Sequence, residues 1–170
     1  IAKRGNYSLE IIREGNNYND LIDAVANHRA DMAIGTLSKT LNRGRKVYFS
    51  KSYLVFYRSV MFDRLWMAQQ LKKYQSKGWN EAQIILHTPY DLGVVAGSSY
   101  MKFAKIMFPK VTVKTFSNWD QTLKALADHQ INAVFYDDFA MKEFFLSHPA
   151  DVLNYEAIVF KNYPDEIGIA

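Results

Sequence analysis

The stretch from Asp31 to Tyr53, DMAIGTLSKTLNRGRKVYFSKSY, gathers the side chains most able to hold a small anion. A short apolar run, Met32-Ala33-Ile34, stops at Gly35 and gives way to Thr36, Ser38, Lys39, Thr40, Arg43 and Arg45. Val47 and Phe49 restore the apolar pattern, and Ser50 and Tyr53 close the stretch. An arginine guanidinium is a planar, permanently charged fork that matches a carboxylate, and neighbouring hydroxyls and backbone N–H groups supply further donors. A polar loop beyond the carboxyl end of a sheet strand is where such a ligand sits. The same residues also read as a solvated surface loop.

Two more strand ends carry polar groups. Gly93 to Ala96 reads as a strand that ends in Gly97-Ser98-Ser99, and Ala133 to Tyr136 as a strand that ends in Asp137-Asp138, each directly before a helix. Ser98 and Ser99 offer hydroxyls and the free N–H groups of a helix start, and Asp137 can accept an ammonium. With Arg43 as the carboxylate clamp, the set complements a zwitterion. Serine and aspartate are also favoured helix caps, so for each residue taken singly both readings stand. Three polar strand ends facing one crevice favour the site.

The elements that must position these groups alternate. Leu9 to Ile12 has strand character; Tyr18, Leu21, Ile22 and Val25 fall on one helical face; Met32 to Ile34 is the next strand. That is a βαβ unit and predicts a parallel sheet. Tyr53 to Phe62 is a long β-prone run, buried or crossing between domains. Between Asp63 and His87, Trp66, Met67, Leu71 and Tyr74 outline a helix with Lys72, Lys73 and Lys77 on its wet side, stopping at Gly78. From Leu92 the order is strand, helix, strand at Val111 to Val113, helix at Gln121 to Ala127, strand, and helix at Phe139 to Phe145. Further strands follow at Val152 to Phe160 and Glu166 to Ala170. The reading is an α/β chain with mixed, mostly parallel sheets in two lobes. Residues 1–56 form part of lobe one, 57–160 form lobe two with an insertion at about 63–87, and 161–170 cross back.

Composition narrows the function classes. The 170 residues suffice for one domain or two small lobes, with 49% hydrophobic and 22% charged residues. No cysteine is present, which removes disulfides, thiolate metal sites and cysteine nucleophiles. A net charge of +4, evenly spread, does not point to nucleic acid. No apolar run is long enough for a membrane span. His28, His87, His129 and His148 are scattered without metal-ligand spacing. Ser98 lacks a G-x-S-x-G context, and there is no P-loop or G-x-G-x-x-G. The sequence therefore predicts no catalytic residue, no metal site and no cofactor.

On these residues the chain resembles the bacterial extracellular solute-binding proteins of the polar amino-acid class (family 3). These share the type II periplasmic-binding-protein fold with ionotropic glutamate receptor ligand-binding domains. The resemblance rests on Asp31-Met-Ala-Ile-Gly35, Ser38-Lys-Thr-Leu-Asn-Arg43, Val47-Tyr-Phe-Ser50 with Tyr53, Gly93-Val-Val-Ala-Gly-Ser-Ser99 and Asn132-Ala-Val-Phe-Tyr-Asp137. It implies a Venus-flytrap body that closes on a small ligand. Arg43 would pair with the ligand α-carboxylate, helped by Ser38, while Thr36 would offer a backbone carbonyl to the α-amino group. Ser98 and Ser99 would hold a carboxylate from lobe two, and Asp137 would take the α-amino group; Thr40 belongs to the same motif. Leu41-Asn42 stands where many members have Pro-Glu, Lys39 where an apolar residue is usual, and Asn132 where Asp is frequent. The family pattern also implies a first strand before Ile1 and closing segments after Ala170, so lobe one is expected to be incomplete.

The resemblance implies capture of an amino acid in the periplasm, with the membrane permease of an ABC importer as partner and no catalysis. Two alternatives accompany it. One is the sensing domain of a membrane receptor such as a histidine kinase or cyclase. The other is an enzyme on the same scaffold, a dehydratase or the regulatory half of a lytic enzyme.

Overall fold

The long apolar run does become the central scaffold. The structure, a computed structural model, describes residues 2–13 and 17–170. After a single helical turn, α1 (Ala2–Gly5), come α2 (Tyr18–Ala26) and α3 (Leu41–Gly44). Strand β1 (Leu54–Asp63) runs into α4 (Arg64–Lys73), a 3-10 turn at Gln75–Lys77 and α5 (Glu81–His87). The remainder alternates: β2 (Asp91–Val95), α6 (Tyr100–Met107), β3 (Thr112–Phe116), α7 (Trp119–Ala127), β4 (Ala133–Asp137), α8 (Asp138–Ser147) and β5 (Tyr155–Ile167).

The five strands form one sheet in the order β3-β2-β4-β1-β5. Strand β2 lies parallel to β3 and β4, as helical crossovers require, while β1 runs antiparallel to both β4 and β5. Helices on both faces bury the sheet. One core gathers Val60, Phe62, Leu92, Val94, Phe108 and Phe135 under α4 to α6. The other packs Met61, Leu126, Ile131, Val134 and Met141 under α7 and α8. Alternate residues of β1 thus enter opposite cores, the period-2 rule for a strand covered on both sides. Local caps set the helix starts. Asn118 Oδ1 accepts the Gln121 N–H at 2.9 Å to open α7. Replacing Asn118 with alanine is expected to cost about 1 kcal/mol in urea unfolding, without a change in the denaturant slope.

The second half of β1 is buried and the first half is largely exposed, because there the strand leaves lobe two. Strand β5 follows it out. Val152 to Phe160 and Glu166 to Ala170, predicted as two strands, join into one strand that bulges beside the Tyr57/Arg58 step: Tyr57 faces Pro164 and Arg58 faces Phe160. Lys161 to Tyr163 loop out, and Pro164, which has no N–H for the ladder, sits at the edge of the bulge opposite Tyr57. Beyond the bulge the two strands cross together into lobe one, and hinged bodies turn on such crossings.

Lobe one departs from the sequence reading. Leu9 to Ile12 forms no strand; Leu9 and Ile11 are about 70% exposed. A strand needs a neighbour to satisfy its backbone groups, and none lies beside this run among the described residues. Met32 to Ile34 is no regular strand either. Ala33 instead exchanges backbone hydrogen bonds with Ala170 (2.8 and 3.0 Å), and Ser38 bridges Ile167 antiparallel, so this segment docks on the returning end of β5. The predicted parallel βαβ unit is therefore absent among the described residues. Ile22, Ala33, Leu37, Val47 and Ala170 make a small core here.

Candidate functional site

Where the two lobes meet, a cleft is lined by Tyr18, Thr36, Ser38, Arg43, Phe56, Ser98, Ser99, Tyr100, Tyr136, Asp137, Asp165 and Ile167. Six of the seven predicted site residues are among them. Lobe one contributes Thr36, Ser38 and Arg43, and lobe two contributes Ser98, Ser99 and Asp137. Thr40 is not in the lining. Its hydroxyl oxygen accepts the Arg43 N–H at 3.4 Å as the cap of α3, and so it fixes the turn that aims the arginine.

Arg43 is 7% exposed, and its Nη1 donates to the Ser38 carbonyl at 3.2 Å. Burial pulls its pKa below the ordinary arginine value, and the nearby Asp165 carboxylate partly opposes that. A guanidinium dehydrated and without an ion pair among the described residues is poised for an anion. Ser98 and Ser99 divide their work. Ser98 Oγ donates back to the Val95 carbonyl at 2.7 Å and shapes the turn. Ser99 makes no side-chain cap and points across the cleft, its Oγ 2.8 Å from Ser38 Oγ.

Asp137 is a helix cap and also lines the cleft. Oδ1 caps α8 by accepting the Ala140 N–H at 2.8 Å, while the residue lines the cleft at 8% exposure. Burial raises its pKa from 3.8 to about 6, Asp138 and Asp165 adding to the shift and the Ala140 N–H opposing it.

The cleft is shut. About 10 Å³ of free space remains, room for about one water molecule and for no amino acid. Ser38 to Ser99 is one bridge between the lobes. Tyr18 to Tyr136, hydroxyl to hydroxyl at 2.8 Å, is another, and Thr36 Oγ1 donates to the Tyr18 hydroxyl at 3.2 Å. A ligand must part these pairs and replace them. Gly97 forms another close approach. Its φ of +71° is a left-handed conformation, and a Cβ there would lie 2.9 Å from Asn17 Cβ on the facing lobe. Gly97→Ala is expected to destabilise the closed form by about 1–2 kcal/mol. The checks are a lower melting temperature and a larger radius of gyration by X-ray scattering; an unchanged radius would place the lobes differently.

Sequence reasoning missed Tyr18, Phe56, Tyr100, Tyr136 and Asp165. Tyr18, Phe56 and Tyr136 counted there as parts of a helix face or a strand, and Tyr100, at the start of a helix, was not singled out. Asp165 had one visible signal, a carboxylate inside a β-prone run directly after Pro164. It is 4% exposed, and Ser38 Oγ donates to its Oδ2 at 2.8 Å. Burial raises its pKa, opposed by the Ser38 hydroxyl, the Arg58 charge, the Tyr100 hydroxyl and the Arg43 charge. Among the described residues, no cluster of histidine and acidic side chains could hold a metal, and no helix is long and apolar enough to cross a membrane.

No family model matches the chain, and no curated protein sequence matches it. Solved structures do. The GluR0 ligand-binding core in complex with L-glutamate superposes with a TM-score of 0.76 at 19% identity, covering 99% of this chain and 70% of that one. A putative ABC-transporter binding component from Wolinella succinogenes complexed with lysine gives 0.74 at 16% identity, covering 99% and 67%. An ancestral arginine-binding protein bound to arginine gives 0.75 at 19% identity, covering 99% and 69%. The chain thus spans about two thirds of the length of each. At these identities the likeness is one of fold: the chain has the α/β, two-lobed architecture of the amino-acid-binding proteins, with lobe one present only in part.

Proposed function

We propose that the chain is a solute-binding module that captures an amino acid or similar small zwitterion between its lobes, without catalysis. One observation carries this reading: two lobes bring a buried, anion-seeking Arg43, the Ser38 and Ser99 hydroxyls, and the Asp137 carboxylate to a single closed cleft. Arg43 and the serine hydroxyls take the ligand carboxylate, and Asp137 takes its ammonium. The neighbours that share this architecture are complexed with glutamate, lysine and arginine, which supports an α-amino acid as the ligand class.

In this reading the module works outside the cytoplasm and hands its ligand to the membrane permease of an ABC importer. The same closure would serve equally as the input of a receptor whose own membrane segment carries the signal. An enzymatic reading has one observation behind it, a carboxyl of pKa about 6 inside the cleft, able to exchange protons near neutrality. A neighbouring structure, an ancestral amino-acid-binding protein described as a precursor of cyclohexadienyl dehydratase, shares the fold at a TM-score of 0.72. Incubating saturating protein with ligand and following its chemical fate separates the two: unchanged ligand fits capture, and consumption fits an enzyme.

The experiment for the proposal is a thermal-shift screen against the twenty amino acids, polyamines, organic acids and sugars. A ligand that binds only the native state raises the melting temperature by mass action. A shift with one or a few amino acids supports the reading; shifts with sugars or simple organic acids alone would replace it.

A further inference from the structure

Three charged side chains line the cleft, and two of them are acids: Arg43 against Asp137 and Asp165. A zwitterion placed with its carboxylate on Arg43 and its ammonium on Asp137 uses up one charge of each sign. Asp165 is left over. It is 4% exposed, and the Ser38 hydroxyl on Oδ2 is its one hydrogen bond within donor-to-acceptor geometry. The Tyr100 hydroxyl lies close enough to lower the Asp165 pKa as a weak donor, and no ion pair to the carboxylate forms among the described residues.

A polar group beside Asp165 is poorly satisfied. The Tyr100 hydroxyl is buried, lines the same cleft and makes no hydrogen bond of good geometry. It nevertheless lies near enough to Asp165 for the carboxylate to bear on its ionisation, raising the Tyr100 pKa further beyond the effect of burial. A buried carboxylate with only neutral hydroxyls beside it, one of them without a well-formed hydrogen bond, is costly unless something in the cleft completes the set. An ammonium or guanidinium, donating to both, would do so.

The other basic group near Asp165 is Arg58, and it faces elsewhere. Its guanidinium lies 3.5 Å from the centre of the Phe103 ring, Nη1 points to the Met107 sulfur at 3.7 Å, and the residue is not part of the cleft lining. It lowers the Asp165 pKa at a distance without contacting the carboxylate as an ion pair. The Asp165 carboxylate also makes ionisation of Asp137 harder. A ligand with an acidic side chain would bring two further carboxylates into this closed space, against one arginine. A ligand with a basic side chain would bring the missing cation.

We propose that Asp165, with the Tyr100 hydroxyl, is a specificity-determining subsite for a cationic side chain, so that the cleft selects amino acids bearing an amine or guanidinium and rejects acidic ones. This rests on the solute-binding reading above and adds to it the class of ligand.

Calorimetric titrations at pH 7.5 with near-isosteric pairs test it: arginine against citrulline, lysine against norleucine, and glutamine against glutamate. The cationic member is expected to bind at least tenfold more tightly than its neutral counterpart, with glutamate weakest. Asp165→Asn keeps an oxygen for the Ser38 hydroxyl and removes the charge; in that variant the cationic preference should shrink to within about threefold. A neutral or acidic ligand bound most tightly by the wild-type protein overturns the proposal, as does an unchanged ratio in Asp165→Asn. The wild-type ratios decide the matter even if the variant does not fold. Binding of neutral amino acids without a cationic preference would remove this subsite and leave the solute-binding reading intact. Failure of every amino acid to bind would remove both.

Discussion

Replacing Arg43 with alanine is expected to weaken amino-acid binding by about 2–5 kcal/mol, roughly 30-fold to several-thousand-fold in Kd. The size follows from burial. The guanidinium is 7% exposed and has no ion-pair partner among the described residues, its Nη1 being bonded to the neutral Ser38 carbonyl. A ligand carboxylate that enters this closed cleft loses its water, and without the guanidinium it regains only the serine hydroxyls and backbone donors. Arg43→Lys should fall between, because an ammonium restores the charge and not the two-pronged geometry. The fold should tolerate the change, since Thr40 still caps the turn through the backbone N–H of residue 43. Isothermal titration with the ligand found in the screen measures the loss. An affinity within threefold of wild type would take Arg43 out of the site.

Asp137 supplies the second large effect, and it separates folding from binding. Its folded pKa of about 6 stands above the ordinary 3.8 because burial penalises the charge. The folded chain therefore holds a proton that the unfolded chain has lost between about pH 4 and pH 6. Stability of the unliganded protein should fall as pH rises through that window and level off above it. Ligand affinity should run the opposite way. An ammonium needs the carboxylate, so binding should be strong at pH 7 and about tenfold weaker at pH 5. Asp137→Asn retains a good cap for α8 and removes the charge. It should raise the melting temperature at pH 7, cost about 2–5 kcal/mol in affinity for an ammonium-bearing ligand, and flatten the pH dependence of binding. Calorimetry between pH 5 and pH 8 checks all three. Affinity that stays level from pH 7 to pH 5 would mean that the ammonium is held elsewhere.

How much of this the sequence could show depended on what each element needs. Lobe two was legible because its patterns are local: α6, α7 and α8 bury one face each, and β2 and β4 are short apolar runs that end at glycine or aspartate. The helix after Asp63 was also readable, with Met67 buried on the core side. Lobe one was less so, because Leu9 to Ile12 and Met32 to Ile34 have strand composition, and strand composition forms a strand only beside a partner. Ala33 found one in Ala170, at the far end of the chain, a pairing with no local signature. Within the cleft, charge and hydroxyl chemistry at strand ends identified Arg43, Ser38, Ser99 and Asp137. The inward turn of Ser98 onto Val95 depends on the left-handed backbone at Gly97, and residue type does not encode it. Asp165 escaped because its place in the cleft follows from the bulge near Pro164, which shifts the register of the crossing strand.

In the proposed function a zwitterion binds between the lobes and touches both. The most direct test of this is a two-dimensional amide NMR titration with the amino acid that gives the largest thermal shift. Perturbations are expected to concentrate at Thr36 to Arg43 on one side and at Gly97 to Tyr100 and Asp137 on the other, saturating together at one ligand per chain. Perturbations confined to one lobe, or gathered instead on the shallow groove between Met141, Phe145 and Val152 on the outer face of lobe two, would contradict it.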